Sequence, residues 1–178
     1  MRAKISERAT QKTRFSAKKR VGVVIAALSV ALLASACVQP APPGASGCSG
    51  PGAPPDAASV AVLNATNASR AAAGVAPLAW NGQLWCLASA WSNHLAAVNS
   101  LVHRDLSATL HSSEYQAYWT LGENILRGSA GMSGDAMHAA WMGSPLHQAN
   151  ILSPTFSSMG FAFTIADGRV FATENFGG

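Results

Sequence analysis

Only the last two thirds of this 178-residue chain has the composition of a folded core, and that limits its architecture more than any other feature. The first twenty positions hold eight of the twelve Lys and Arg residues: Arg2, Lys4, Arg8, Lys12, Arg14, Lys18, Lys19 and Arg20. Val21 to Ala36 follows as sixteen apolar or small residues without a break, and Val38 to Pro55 is then rich in Pro, Gly, Ala and Ser. A basic stretch, an apolar run and small residues at its end form the layout of an export signal. The run is shorter than the roughly 20 residues that span a bilayer, so cleavage is expected rather than retention as an anchor. The chain therefore divides into an export signal over 1–36, a flexible linker over 37–55 and one domain over 56–178. About 120 residues can bury one core but not two.

Two maturation routes are open. Ala34-Ser35-Ala36 fits an ordinary small-x-small cleavage site, whereas Cys37 stands where a bacterial lipoprotein is acylated. The lipoprotein is favoured because composition changes abruptly after Cys37, and a Pro/Gly/Ala/Ser linker suits a domain held off a membrane. The alternative is free secretion. Without the leader, four basic residues face seven acidic ones, a net charge of about −3. No basic groove for nucleic acid is expected, and contact with a membrane is expected only through the lipid. If Cys37 is lipidated, Cys48 and Cys86 remain as an even pair, either joined in a disulfide in an oxidising compartment or left as free thiols.

Within the domain, Asp56 is placed to cap a helix through Val60, Leu63, Asn67 and Arg70 that ends at Gly74. Asn81 caps a second helix, in which Leu84, Leu87, Trp91, Leu95 and Val98 recur at helical spacing up to about Ser100. Residues 104–118 read as loop with one helical turn. Ser133 or Asp135 opens a helix through Met137 and Trp141 that must stop at Ser144-Pro145, because the residue before proline resists the α region. Asp167-Gly168 is a turn between two apolar runs, which predicts an antiparallel hairpin of Met159–Ala166 with Arg169–Glu174. Gly122 to Leu126 adds another strand. The class is α+β, with helices packed on a small antiparallel sheet.

Three segments carry candidate chemistry: His103 after the second helix, Glu123 within Leu121–Ile125, and His147 within Trp141–Leu152. Two imidazoles and a carboxylate meeting in one cleft suit a divalent cation such as zinc. Ser144 also lies at this cleft. Ser144 and His147 suggest a nucleophile and base, but the proline turn between them makes Ser144 a better N-cap for the short helix that follows. Asn124 and Asn150 are expected to tie down backbone, Glu174 to lie on the surface, and Trp80, Trp85, Trp91, Trp119 and Trp141 to fill the core. No motif supports a role for His94, His111 or His138.

Taken in order, these motifs resemble the bacterial form of the CAP superfamily, or SCP domain, of cysteine-rich secretory, antigen 5 and pathogenesis-related type 1 proteins. They are Asn67-x-x-Arg70-x-x-x-Gly74, Pro77-Leu78-x-Trp80-Asn81-x-x-Leu84, His103, Gly122-Glu123-Asn124-Ile125, Trp141-Met142-x-Ser144-Pro145-x-His147-x-Ala149-Asn150-Ile151-Leu152, and Phe156 with Gly160. The resemblance spans about Val60 to Gly177. It implies a CAP-type α-β-α sandwich with a three-stranded antiparallel sheet, and a cleft of two histidines and two glutamates that binds a divalent ion in some members. His103, His147 and Glu123 match that set. Ser144 occupies the position of the second glutamate, Leu146 stands where bacterial members often have Gly, Gln148 where Arg is common, and Glu174 where relatives often carry Gln.

Three functions are consistent with these residues. The favoured one is an exported module whose cleft binds a divalent cation or a small apolar ligand, or whose surface meets an envelope or extracellular partner, without turnover. A metal-assisted, peptidase-like hydrolase would use metal-bound water with Glu123 accepting the proton. A structural envelope protein with a vestigial cleft would explain the loss of the second carboxylate.

Overall fold

The computed structural model describes Cys48 and residues 52–178. The segment expected to be an export signal (1–36), Cys37 and, apart from Cys48, the expected linker up to residue 51 lie outside the described residues.

Helix α1 (Ala57–Ala72) starts where Asp56 Oδ1 accepts the Ser59 N–H at 2.8 Å, which satisfies one of the free amides of the first turn. Gly74 follows it at φ 72°, a left-handed conformation in which glycine carries no Cβ penalty. Asn67 then clamps the returning chain: its side chain donates to Leu78 O at 3.0 Å and accepts from Leu78 N at 2.7 Å. This clamp sets the short strand β1 (Ala79–Trp80).

Asn81 caps α2 (Gly82–Val98) by accepting from Gln83 N and Leu84 N, and α2 ends at Asn99 in the left-handed region. One helical turn, α3 (Leu106–Leu110), breaks the following loop. Strand β2 (Leu121–Ser129) precedes α4 (Gly134–Met142), which is capped by Ser133, and α5 (Pro145–Ile151). Strands β3 (Ser158–Ala166) and β4 (Arg169–Gly177) close the chain as a hairpin. Asp167 and Gly168, both at positive φ, make its two-residue turn, whose twist matches that of the flanking strands.

The sheet runs in the order β1-β3-β4-β2. Its three long strands are antiparallel, as expected, and the two-residue β1 adds a parallel edge beside β3. Alternation along the strands gives the sheet two buried faces. On one, Val62, Met137, Trp141 and Ile151 from α1, α4 and α5 pack on Met159, Phe161, Ala172 and Phe176. On the other, Leu84, Leu87 and Leu95 of α2 pack with Tyr115, Ile125 and Phe171. The domain is an α-β-α sandwich.

Two contacts lock these layers together. A Cβ on Gly160 would lie 2.0 Å from Trp85 N and 2.3 Å from Leu84 C, so β3 can meet the backbone of α2 only because residue 160 has no side chain. Arg70 is buried and gives four of its five guanidinium N–H donors to backbone carbonyls: Ala76 (2.7 Å), Ile151 (2.8 Å), Ser153 (2.9 Å) and Phe156 (3.1 Å). Burial without a carboxylate lowers its pKa, and these carbonyls supply the compensating bonds. Cys48 and Cys86 are joined in a disulfide that ties the linker to α2.

Two expectations require correction. Trp80 and Trp141 are core residues, but Trp119 is 92% exposed, because it precedes β2 at the rim instead of lying on a helix face. Glu174 is not on the surface: it is 0% exposed, because β4 is an interior strand covered on both faces. Among the described residues, no helix is long and apolar enough to cross a membrane.

Candidate functional site

The site forms around β2, an edge strand. Because consecutive strand residues point to opposite faces, Glu123 and Asn124 act on different sides of the sheet. Glu123 serves the α2 side, where its Oε1 lies 2.9 Å from His103 Nδ1 and accepts the Arg104 N–H at 3.1 Å. Asn124 serves the α5 side: its Nδ2 donates to His147 O at 3.1 Å, and its Oδ1 accepts from Asn150 Nδ2 at 2.9 Å. Asn150 Nδ2 also lies 3.1 Å from Glu123 O. The two asparagines fasten α5 to β2, as expected of residues that tie down backbone.

Glu123 thus holds the ring of His103, and Asn124 holds the backbone of His147. The His147 pKa is lowered first by burial and second by the charge of His103. His103 exposes 58% of its side chain, whereas Glu123 exposes 1%. Nδ1 of His103 faces Glu123, which leaves Nε2 as its outward atom.

This geometry changes the metal reading. Glu123 Oε1 is committed to His103 and Arg104, and Oε2 is buried without a partner. The carboxylate therefore orients an imidazole from behind and does not face the opening as a third donor. Among the described residues, no group of three His, Cys, Asp or Glu side chains is placed to hold a metal ion. Two imidazoles fall short of the three or four protein ligands of a zinc site. The same burial leaves Glu123 unable to take a proton from water in the cleft, the role that the hydrolase reading requires.

Ser144 stands at the N-cap position of α5, with Pro145 at the first helical position, but its side chain makes no capping bond. It is half-buried at the start of the helix that carries His147. Leu146, 81% exposed, and the exposed Leu101 and Val102 flank the histidines in sequence. A separate cavity of about 460 Å³ lies between α2 and the α3 segment, lined by Leu87, Ala90, Arg104, Ala108, Thr109 and Tyr115 but by neither histidine. Arg104 forms its wall, 4.7 Å over the Trp91 ring, with a bond to Leu87 O.

The sequence reading missed one polar cluster. His138 is buried on α4, where burial lowers its pKa, and it bonds Ser69 Oγ at 2.9 Å and Thr66 Oγ1 at 3.3 Å. Thr66 also reaches Glu174. Helical spacing could have put Thr66 and Ser69 on one side of α1, but nothing local to these residues pointed to His138.

The fold recurs in solved structures. An extracellular protein containing an SCP domain from Bacillus anthracis is 26% identical with a TM-score of 0.53, over 67% of this chain and 40% of that one. A cysteine-rich secretory protein from Staphylococcus aureus is 20% identical with a TM-score of 0.52, over 68% and 38%. The chain thus spans about two fifths of the length of these two proteins. NaASP2, solved with Zn2+, is 13% identical with a TM-score of 0.51, over 70% and 84%. A comparison with curated proteins gives no match. The family model of the CAP domain, described as the cysteine-rich secretory protein family, matches residues 63–176, and with that match over more than half its length the chain belongs to this family.

Proposed function

We propose that the protein is an exported, non-enzymatic CAP module that binds its ligand at His103 and His147. The observation that carries this reading is the His103–Glu123 pair, in which a buried carboxylate fixes the tautomer and orientation of a largely exposed imidazole. Such support maintains a ring that presents one nitrogen outward, and the lowered pKa of His147 keeps the second ring neutral and able to donate its lone pair.

Two ligand chemistries suit this opening. A divalent cation such as zinc would be held by two imidazoles and completed by water or by a partner's donor, weakly compared with a full protein site. A small lipid would lie along Leu101, Val102 and Leu146 with its polar end at the rings. The burial of Glu123 and its bonds to His103 and Arg104 support a role without turnover, because this carboxylate is not free to act as base. Ser144 has no hydrogen-bonded base to activate it as a nucleophile.

Export is supported by the leader, by a disulfide suited to an oxidising compartment, and by the extracellular description of the Bacillus anthracis relative. Cys37 then anchors the domain at the cell envelope as a lipoprotein, with residues 38–55 as the tether, and an envelope or extracellular protein is the expected partner. Calorimetry with zinc and with lipid vesicles, on the wild type and on His147→Ala, tests the binding role. Saturable heat that the substitution abolishes is expected. Peptide or ester turnover that disappears in His147→Ala would establish an enzyme instead, and no heat with any of these probes would favour a vestigial cleft.

A further inference from the structure

Glu174 is the least explained ionisable group in the molecule. It lies on the interior strand β4 between Asn124 of β2 and Phe161 of β3, on the face covered by α1, α4 and α5, and it is 0% exposed. Its carboxyl meets two neutral groups: Asn124 Nδ2 at 3.1 Å from Oε2 and Thr66 Oγ1 at 3.4 Å from Oε1. Among the described residues, the one ion pair is His103–Glu123, so no cation balances a charge on Glu174. The charged and titratable side chains on the elements packed against it are Arg70 on α1, Asp135 and His138 on α4, and His147 on α5. Arg70 spends its donors on four carbonyls, and Asp135 would only oppose a second negative charge. A carboxylate buried in this way is disfavoured unless it is paired.

The hydrogen bonds around it form one chain, from Glu174 to Thr66, to His138 Nδ1 at 3.3 Å, and from His138 Nε2 to the half-buried Ser69 Oγ at 2.9 Å. With every member neutral the chain is satisfied in one direction: Glu174 O–H donates to Thr66, Thr66 O–H donates to His138 Nδ1, and His138 Nε2–H donates to Ser69. Oε2 then accepts from Asn124.

We propose that Glu174 is a neutral carboxylic acid in the folded protein, that its proton leaves along the chain Thr66–His138, and that this ionisation is a pH-sensitive latch between the sheet and helices α1, α4 and α5. On ionisation the Glu174 proton moves to Thr66 Oγ1, the Thr66 proton moves to His138 Nδ1, and the His138 Nε2 proton passes to solvent hydroxide. Ser69 O–H then turns to donate to Nε2. One proton has left, every group keeps a partner, and a negative charge now sits in the core with only neutral donors. Burial pushes the Glu174 pKa up to about 8, with the Asn124 and Thr66 bonds offsetting part of that rise. Asn124 uses its other N–H to hold His147 O, so loosening at Glu174 reaches the helix that carries His147, whatever the imidazoles bind.

The direction of the pH effect follows from linkage. The folded state keeps the proton over a range in which the unfolded chain, with an ordinary Glu near 4.5, has already lost it, so stability falls as pH rises from about 4.5 and levels off above about 8. Glu174→Gln mimics the neutral acid and cannot ionise. The melting temperature of the wild type relative to Glu174→Gln, measured from pH 5 to pH 9, is expected to decline steadily and flatten above about 8. A purely structural role would give a constant offset, and that result would overturn the proposal. NMR of the His138 ring supplies a second readout. Its nitrogen shifts are expected to inflect near the same pH in the wild type, and not in Glu174→Gln or Thr66→Val. Wild-type His138 shifts that follow only its own titration would show that no such chain operates.

Discussion

Asn124 and Asn150 share an amide–amide hydrogen bond of 2.9 Å that fastens α5 to the edge strand β2. Asn124 is fully buried and also holds His147 O and Glu174 Oε2. Replacing it by alanine leaves the buried Glu174 Oε2 without this partner and removes two part-buried bonds, to His147 O and from Asn150 Nδ2, and an unsatisfied buried group costs about 1–3 kcal/mol. Asn124→Ala should therefore lose at least ~2 kcal/mol in denaturant unfolding. A loss below about 0.5 kcal/mol would mean that α5 is held mainly by its apolar contacts.

Arg70 stitches α1 to the α5–β3 connection through four carbonyls, and its planar fork is what allows all four bonds. Lysine keeps the charge but not the fork. Arg70→Lys should cost about 3 kcal/mol in chemical denaturation, since charge-assisted bonds are worth about 1.5–3 kcal/mol each. Near-wild-type stability would show that water replaces the lost carbonyl contacts.

Gly160→Ala tests the seam between α2 and β3. The new Cβ meets backbone atoms at 2.0–2.6 Å, which no rotamer change can relieve. Either the helix or the strand must move, so a loss of about 3 kcal/mol or more is expected, or failure to accumulate as folded protein. Circular dichroism on heating measures this, and a melting temperature within about 2 °C of wild type would contradict the close approach.

Binding through neutral imidazole is lost on acidification. Burial and His103 hold His147 below the ordinary imidazole pKa, so ligand affinity should be maintained at pH 7 and fall only as the pH drops below about 6.5. A zinc titration repeated between pH 5.0 and 7.5 reads this. Affinity independent of pH over that range would remove His147 from the ligand set.

The helix boundaries were legible in the sequence because they are local events. Asp56, Asn81 and Ser133 cap the amides beside them, Gly74 takes a left-handed turn, and Pro145 starts a new helix. The hairpin followed from Asp167-Gly168 for the same reason. His103, Glu123 and His147 were grouped by their donor chemistry and supported by the resemblance to a family motif, but the direct pairing of His103 with Glu123 was not legible, since nothing nearby in sequence links positions twenty apart. The structure explains the motif: two adjacent strand residues must face opposite sides, one to orient an imidazole and one to hold α5. Glu174 was misplaced because strand order decides which strand is interior, and its partners Thr66 and Asn124 come from α1 and β2. Trp119 was misjudged because aromatic character suggested burial, whereas its place just before an edge strand leaves it in solvent.

In the proposed function, His103 and His147 form one binding site supported from behind by Glu123. Calorimetric titration of the protein with zinc at pH 7, on wild type, His103→Ala, His147→Ala and Glu123→Gln, tests it most directly. The account predicts saturable binding by the wild type, loss of that binding in either histidine variant, and about a tenfold weakening in Glu123→Gln, as expected for a residue that orients a ligand. Wild-type heat that survives both histidine substitutions, or that disappears completely in Glu123→Gln while the histidine variants still bind, would contradict it.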